Sequence, residues 1–265
     1  VDALIVHVDG IGFWAPGLAD WSAFSGAAER DDFAMPEVRS RPAAGALPPA
    51  ERRRAPEPVL IASEAAGQAV AMAGRDASAL AAVFVSTHGD LAITDEMCAT
   101  LARDPHELSP TRFHNSVHNA PAGYWTVAAH CHAPATAISA ERASFAAGLF
   151  EAAIEVAAEG EPVLLAAYDI AAQGPLAEVA PSALPFAVAF VLSPAASART
   201  TAKLALRTIS DTAASSDIPR SLAPLRSNPI GVQALPLLVA LARRRASEIF
   251  VASGRDRTLA IEVTP

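Results

Sequence analysis

The chain is 265 residues long, enough to bury a full core as one large domain or as two fused halves. It is 52% apolar and only 18% charged, with a mean hydropathy of +0.28. Abundant alanine explains part of that apolar excess, and a large permanent interface would explain the rest. A net charge of −8 and a pI near 5.3 argue against nucleic acid as the main partner, because phosphate binding needs a basic face. Cys98 and Cys131, without CxxC spacing, give neither a disulfide framework nor a zinc motif. No uninterrupted apolar stretch has the length of a membrane span. The first residues run into a strand pattern rather than a signal peptide, so the expected compartment is the cytoplasm.

In chain order, residues 3–8 read as a buried strand, and Asp9-Gly10-Ile11-Gly12 reads as the turn that closes it. Strand followed by GxG invites a dinucleotide-binding reading, but Trp14, Pro16 and Gly17 stand where the helix should open. Trp14, Trp21, Phe24 and the Tyr124-Trp125 pair read as core or interface aromatics. Residues 36–58 have the proline and arginine content of a loop. A helix is predicted from Ser63 as N-cap to Gly74 as C-cap, then a strand over 81–87 and a helix over 93–102. A strand over 135–139 leads through Glu141-Arg142-Ala143 into a helix opening at Ser144. Phe145, Leu149, Ala153 and Val156 form its apolar stripe and Gly160 ends it. Further strands are predicted over 163–168, 186–192, 203–209, 248–252 and 258–263, with a helix over 232–244. This alternation indicates an α/β layered fold. Arg52-Arg53-Arg54 and Arg243-Arg244-Arg245 read as a solvated loop and a helix C-terminus, where cations suit the dipole. The other reading is a docking patch for an acidic partner such as a carrier protein.

A strand, a tight turn and a helix opening on Ser144 have the layout of a nucleophile elbow, whose reactive group sits at the positive end of a helix dipole. It is not the GxSxG type, since Arg142 and Ala146 fill the glycine positions. A serine nucleophile needs a base, which His118 or His114 could supply with Asp90 or Asp95 as orienter. The alternative is that Ser144 simply N-caps its helix. His114 and His118 would share one helix face, yet no carboxylate in 113–124 offers a third metal ligand. His130 and His132 form a second pair, pointing the same way only in a strand. No metal and no cofactor is expected.

The run Ser109-Pro110 with Ser116-Val117-His118-Asn119-Ala120-Pro121-Ala122-Gly123, then Ile138-Ser139-Ala140, Ser144-Phe145-Ala146-Ala147-Gly148-Leu149 and Tyr168-Asp169, resembles the N-terminal half of β-ketoacyl synthases. It is most similar to the short ketosynthase-like type found beside carrier proteins in bacterial aryl polyene gene clusters. The resemblance implies a thiolase-like layered α/β fold with a shortened second half: residues 1–175 as the ketosynthase-like half, and 176–265 as a reduced half packed with it in one domain. The Asp9–Gly12 segment matches the family's first-strand turn and needs no ligand. Condensing members of the family hold the acyl chain on an elbow cysteine, assisted by two histidines from the second half. Here the elbow falls on Ala143-Ser144-Phe145 and no histidine follows His132. The glycine-rich loop before the last strand is reduced to Ser253-Gly254-Arg255-Asp256-Arg257.

The resemblance therefore implies a non-catalytic, chain-length-factor-type subunit. It would pair as a heterodimer with a catalytic ketosynthase in fatty acid or polyketide (aryl polyene) synthesis, and an acyl carrier protein would deliver the chain. Ser144 marks the elbow with His118 as its neighbour. Phe145, Phe113, His114, His118 and Asn119 are the candidate tunnel or interface residues, Phe145 as a gate. Two rival readings stay open: a Ser144-dependent acyltransferase or thioesterase acting on acyl-carrier substrates, and a homodimeric scaffold.

Overall fold

The computed structural model describes residues 3–30, 32–34, 41–210 and 214–265, so residues 36–40 of the predicted loop lie outside the described residues. One mixed sheet of eight strands organises them, in the order β3-β2-β4-β5-β1-β6-β8-β7. The strands are β1 (Leu4–Trp14), β2 (Ala81–Val85), β3 (Ala135–Ile138), β4 (Val163–Asp169), β5 (Phe186–Ser193), β6 (Ala202–Ile209), β7 (Ser247–Gly254) and β8 (Arg257–Thr264). The segments β2, β4 and β5 are runs of Ala, Val, Leu and Phe without alternation, as strands covered on both faces require. β2 pairs in parallel with β3 and β4, whereas β5 lies antiparallel between β4 and β1.

The first strand corrects the sequence reading. Asp9–Gly12 is no turn: β1 continues through it to Trp14, with a bulge between Val8 and Gly10. The glycines serve the helix α3 (Glu57–Ala73), which lies directly across β1. A Cβ on Gly12 would sit 1.8 Å from the Ala65 carbonyl oxygen, and one on Gly10 would sit 2.0 Å from that of Ala69. Helix and strand backbones thus touch through two glycines and two alanines, a closeness no larger residue permits. The bulge turns Asp9 inward, where Ser193, Ser197, Thr200 and Arg75 bond its carboxylate. Burial pushes that carboxyl up, but Thr200, Ser193, Arg75 and Ser197 together outweigh it and hold its pKa below the ordinary 3.8.

α3 itself starts seven residues earlier than predicted, with Pro56 rather than Ser63 as its N-cap. Pro58 occupies its first turn, where a missing N–H costs nothing, and Ser63 is buried inside the helix rather than capping it. Its predicted end holds: Gly74 closes it in the left-handed conformation at φ 61°. On this side of the sheet α3 and α6 (Ala120–Ala128) cover one core, built on Ile61, Ala65, Trp125, Leu164 and Tyr168. On the other side α7 (Ser144–Glu159) and the helix Pro229–Ala242 fill the larger core, with Phe145, Leu149 and Val156 fully buried. The sheet curls around them, so that α7 touches both β2 and β7.

The part after Gly174 completes this sheet. β5 sits at its centre, and β6, β8 and β7 extend it antiparallel. Leu204, Leu206, Leu259, Ile261 and Val263 face inward. Lys203, Arg207, Glu248 and Glu262 are exposed, and Arg207 pairs with Glu248. A charged outer face can meet water without a covering helix layer, which is how a shortened second half remains viable. The two sheet ends differ. At β7 the edge is met at Phe250, where the Ser215 N–H donates to the Phe250 carbonyl and the Phe250 N–H to Ser215 Oγ, both at 2.9 Å. At the other end β3 pairs only with β2, and among the described residues nothing bonds its outer edge.

Candidate functional site

The elbow stands at the ends of β3 and β2. After Ile138, Ser139 Oγ donates to the Thr87 carbonyl at 2.9 Å, and a single 3-10 turn over Glu141–Ala143 reverses the chain. Glu141 takes φ 51°, the left-handed region that a side chain occupies only under a tight constraint. α7 then opens at Ser144. Ser144 is the first helical residue, not the N-cap; Ala143 holds that position without a side-chain bond. The serine is fully buried. Its Oγ donates to the Glu141 carbonyl at 2.7 Å and accepts the Ala140 N–H at 3.0 Å, while its own N–H also donates to Glu141. One further amide of the first turn, Ala146 N–H, donates to Gln233 Oε1 at 3.2 Å. The hydroxyl and two of the N–H groups at the positive end of α7 are therefore taken up by the chain itself.

Nor, among the described residues, does a base bond the serine. His114 ends the short helix α5 (Pro110–Asn115), and His118 lies in the turn before α6, so the two do not share one helix face. His118 Nε2 is 3.0 Å from the Ser86 carbonyl, and the His118 carbonyl faces the Tyr168 hydroxyl at 3.5 Å. Asp90 caps the helix Leu91–Arg103 through the Ile93 N–H at 2.9 Å, and Asp95 packs against Gly174. Neither orients His118. His130 and His132 are exposed in a loop rather than a strand. Among the described residues no group of three His, Cys, Asp or Glu converges as a metal site.

Behind the elbow lies a network absent from the sequence reading. Asp169, at the end of β4, is buried and accepts Ser86 Oγ–H at 2.6 Å and the Thr87 N–H at 2.9 Å on one carboxylate oxygen. Burial pushes its pKa up, with only partial relief from these donors. Ser86 Oγ in turn accepts the Gly89 N–H. Asn228 ties the same region to the second part of the chain. Its Nδ2 donates to the carbonyls of Asp169 and Leu184, and its Oδ1 caps the helix Pro229–Ala242 through Ile230 and Gly231. Asp169 closing an apolar run, and Asn228-Pro229 as a helix start, are the sequence signals that could have found this network.

In front of the elbow a cleft of about 350 Å³ is lined by His88, Glu141, Arg142, Arg226, Asn228 and Val232. Of the other candidate residues, Phe145 is fully enclosed in the main core. Phe113, at 64% exposed, Val117 and Val127 instead leave apolar surface on α5, the turn after it and α6. His114, Asn119 and Tyr124 line a groove of about 380 Å³ there. Cys98 is exposed on its helix and Cys131 is buried with its thiol on the Leu80 carbonyl, so neither lies at the elbow.

A curled mixed sheet around two inner helices, with an elbow opening one of them, defines a thiolase-like fold of the ketosynthase type. A family model for the β-ketoacyl synthase N-terminal domain matches residues 21–228, and the chain belongs to that family. It is similar to a chain in a ketosynthase (ApeO) in complex with its chain length factor (ApeC) from Xenorhabdus doucetiae. That match has a TM-score of 0.75 and 23% identity, and covers 97% of this chain and 98% of that one. It is also similar to a chain of a type II polyketide synthase acyl-carrier protein in complex with its ketosynthase bound to the hexaketide (AntDE:AntF), with a TM-score of 0.70, 12% identity, and 100% and 99% coverage. A β-ketoacyl synthase from Burkholderia phymatum matches with a TM-score of 0.59, 15% identity, and 92% and 78% coverage. At these identities the likeness is one of fold. No curated protein sequence matches the chain. No helix among the described residues is long and apolar enough to cross a membrane.

Proposed function

We propose that this chain is a non-catalytic, chain-length-factor-type subunit that pairs with a catalytic β-ketoacyl synthase in type II polyketide synthesis of the aryl polyene kind. The observation that carries the reading is the state of the elbow. Its one hydroxyl is buried and doubly bonded to its own turn, with no base in contact and no thiol at hand. Residues 176–265, read as the reduced second half, hold no histidine that could assist decarboxylation. Support also comes from the similarity, over nearly the full length of both chains, to a chain of a ketosynthase and chain length factor complex.

In this reading the catalytic subunit docks at the bare edge of β3 and on the neighbouring α6, where Val127 is 72% exposed and Phe113 and Val117 add apolar area. The carrier protein delivers acyl groups to the pair in the cytoplasm, with condensation on the partner's cysteine. Co-expression with a catalytic ketosynthase of the type II aryl polyene kind from the same organism tests the pairing. A one-to-one complex is expected, and Val127→Glu with Phe113→Glu should release the two chains as separate species in size-exclusion chromatography. A chain that stays monomeric or self-pairs in the presence of that ketosynthase refutes it.

A further inference from the structure

The helix that opens at the elbow has a second face, which its own core leaves uncovered. α7 turns Phe145 and Leu149 inward, while Ala147, Phe150, Glu151, Ile154, Glu155 and Ala158 reach solvent in full or in part. Their spacing of three and four residues sets them in one stripe, and Ile154 is 40% exposed. The stripe lies toward β3. Thr136 of that strand donates a side-chain hydrogen bond to Glu155, and α7 touches both β2 and β3. The bare edge of β3 and this stripe are therefore continuous, on the side of the sheet opposite α6.

The charge on α7 has one sign only. The helix carries Glu151, Glu155 and Glu159 at successive i, i+4 positions and no lysine, arginine or histidine. Like charges at that spacing repel, and Glu159 stands at the negative end of the helix dipole. Among the described residues none of the three forms an ion pair. Burial pushes the Glu155 carboxyl above its ordinary 4.5; the charge of Glu151 and, less strongly, that of Glu159 add to the rise, against the relief from Thr136. Beside its open edge the chain thus keeps apolar surface interleaved with negative charge that its described cations leave unpaired.

Symmetry decides what can meet this stripe. A strand that pairs antiparallel with its own copy is related to it by a two-fold axis perpendicular to the sheet, which keeps each helix layer on its own side. Joining β3 to a second β3 brings α7 against α7, and both sets of glutamates toward one joint. We propose that these glutamates bar the chain from pairing with itself and commit the joint to a different chain of the same fold, whose corresponding helix presents lysine or arginine to Glu151 and Glu155. This selection rests on the pairing proposed above. On the other side of the sheet Val127 is apolar and accepts either chain, so the discrimination falls to α7.

Sedimentation velocity on the isolated chain is the first test. Self-association of E151Q/E155Q/E159Q should be at least about tenfold tighter than that of the unaltered chain, since the substitutions remove like charges from the joint and keep their size. Adding V127E, on the α6 side of the same joint, should return that variant to monomer. The second test adds the catalytic ketosynthase. E151K/E155K should weaken the one-to-one complex at least about tenfold, and a ketosynthase with its facing lysine or arginine changed to glutamate should regain the affinity. Equal self-association of the unaltered and glutamine chains overturns the proposal, as does a stable self-pair of the unaltered chain that V127E dissolves. A complex that E151K/E155K leaves unchanged overturns the choice of a cationic partner and leaves the pairing intact. Failure of the unaltered chain to form any complex counts against the pairing instead, and the self-association comparison then decides whether the glutamates exclude a second copy.

Discussion

Ser144→Ala separates a structural elbow from a reactive one by magnitude. The substitution removes the hydroxyl that donates to Glu141 at 2.7 Å and accepts from Ala140 at 3.0 Å. Each such bond contributes about 1 kcal/mol net, and alanine is slightly better inside a helix, so the loss should be about 1–2 kcal/mol. The Glu141 carbonyl keeps the Ser144 N–H as a donor, which holds the loss at that level. In a chain of this size it lowers the melting temperature by about 2–6 °C. Condensation by the reconstituted complex, followed as carrier-bound product by mass spectrometry, should be unchanged once the proteins are held well below melting. A serine that acted as nucleophile would behave otherwise, since its removal costs on the order of a thousandfold or more in rate. A rate loss of that size with an unshifted melting curve refutes the inert elbow, as does an acyl adduct on Ser144.

Two variants in the first strand and one control in the helix Trp21–Ala28 extend the test. Gly12→Ala must push the backbone of α3 away from a Cβ only 1.8 Å from the Ala65 oxygen, and should cost at least about 3 kcal/mol by urea denaturation. Gly26→Ala, with nothing within 4 Å, should instead stabilise the helix Trp21–Ala28 by about 0.5–1 kcal/mol. Asp9 has a pKa held below 3.8, so its stabilisation is fully present above that value and is lost as pH falls through the lower folded value. Urea midpoints measured from about pH 5 down to about pH 2 should fall less steeply in Asp9→Asn than in the unaltered chain.

Elements with a strong local signal were legible in the sequence. The uninterrupted apolar runs gave β2, β4 and β5 at nearly their observed limits, and Gly74 and Gly160 gave two helix ends, both left-handed at φ 61° and 69°. The elbow was legible because its turn is local: strand, three residues, helix. What failed was anything decided by contacts distant in sequence. Gly10 and Gly12 looked like a turn because their reason lies about 55 residues on, in the alanines of α3. Ser63 looked like a cap because nothing local says that α3 has already begun at the prolines before it. Ser144 looked like a cap or a nucleophile, and only the fold shows its oxygen directed back into its own turn. The spacing of His114 and His118 suggested a shared face, but the chain leaves the helix between them. Asp169 at the end of β4, and Asn228 and Gln233 at the cap and in the body of the helix Pro229–Ala242, carry local marks of a strand end and a helix start, but their convergence behind the elbow shows only once β4, that helix and α7 are brought together.

The two ends of the sheet bear on how many copies can join. An edge that accepts strands at both ends permits unlimited growth, in which each added chain offers a fresh template for the next. Among the described residues Ser215 bonds the β7 edge at Phe250, whereas the outer edge of β3 carries no bond. An assembly built by extending this sheet through β3 terminates after one addition, with both β3 edges consumed in the same joint. Growth through β3 alone gives a finite pair rather than a fibre.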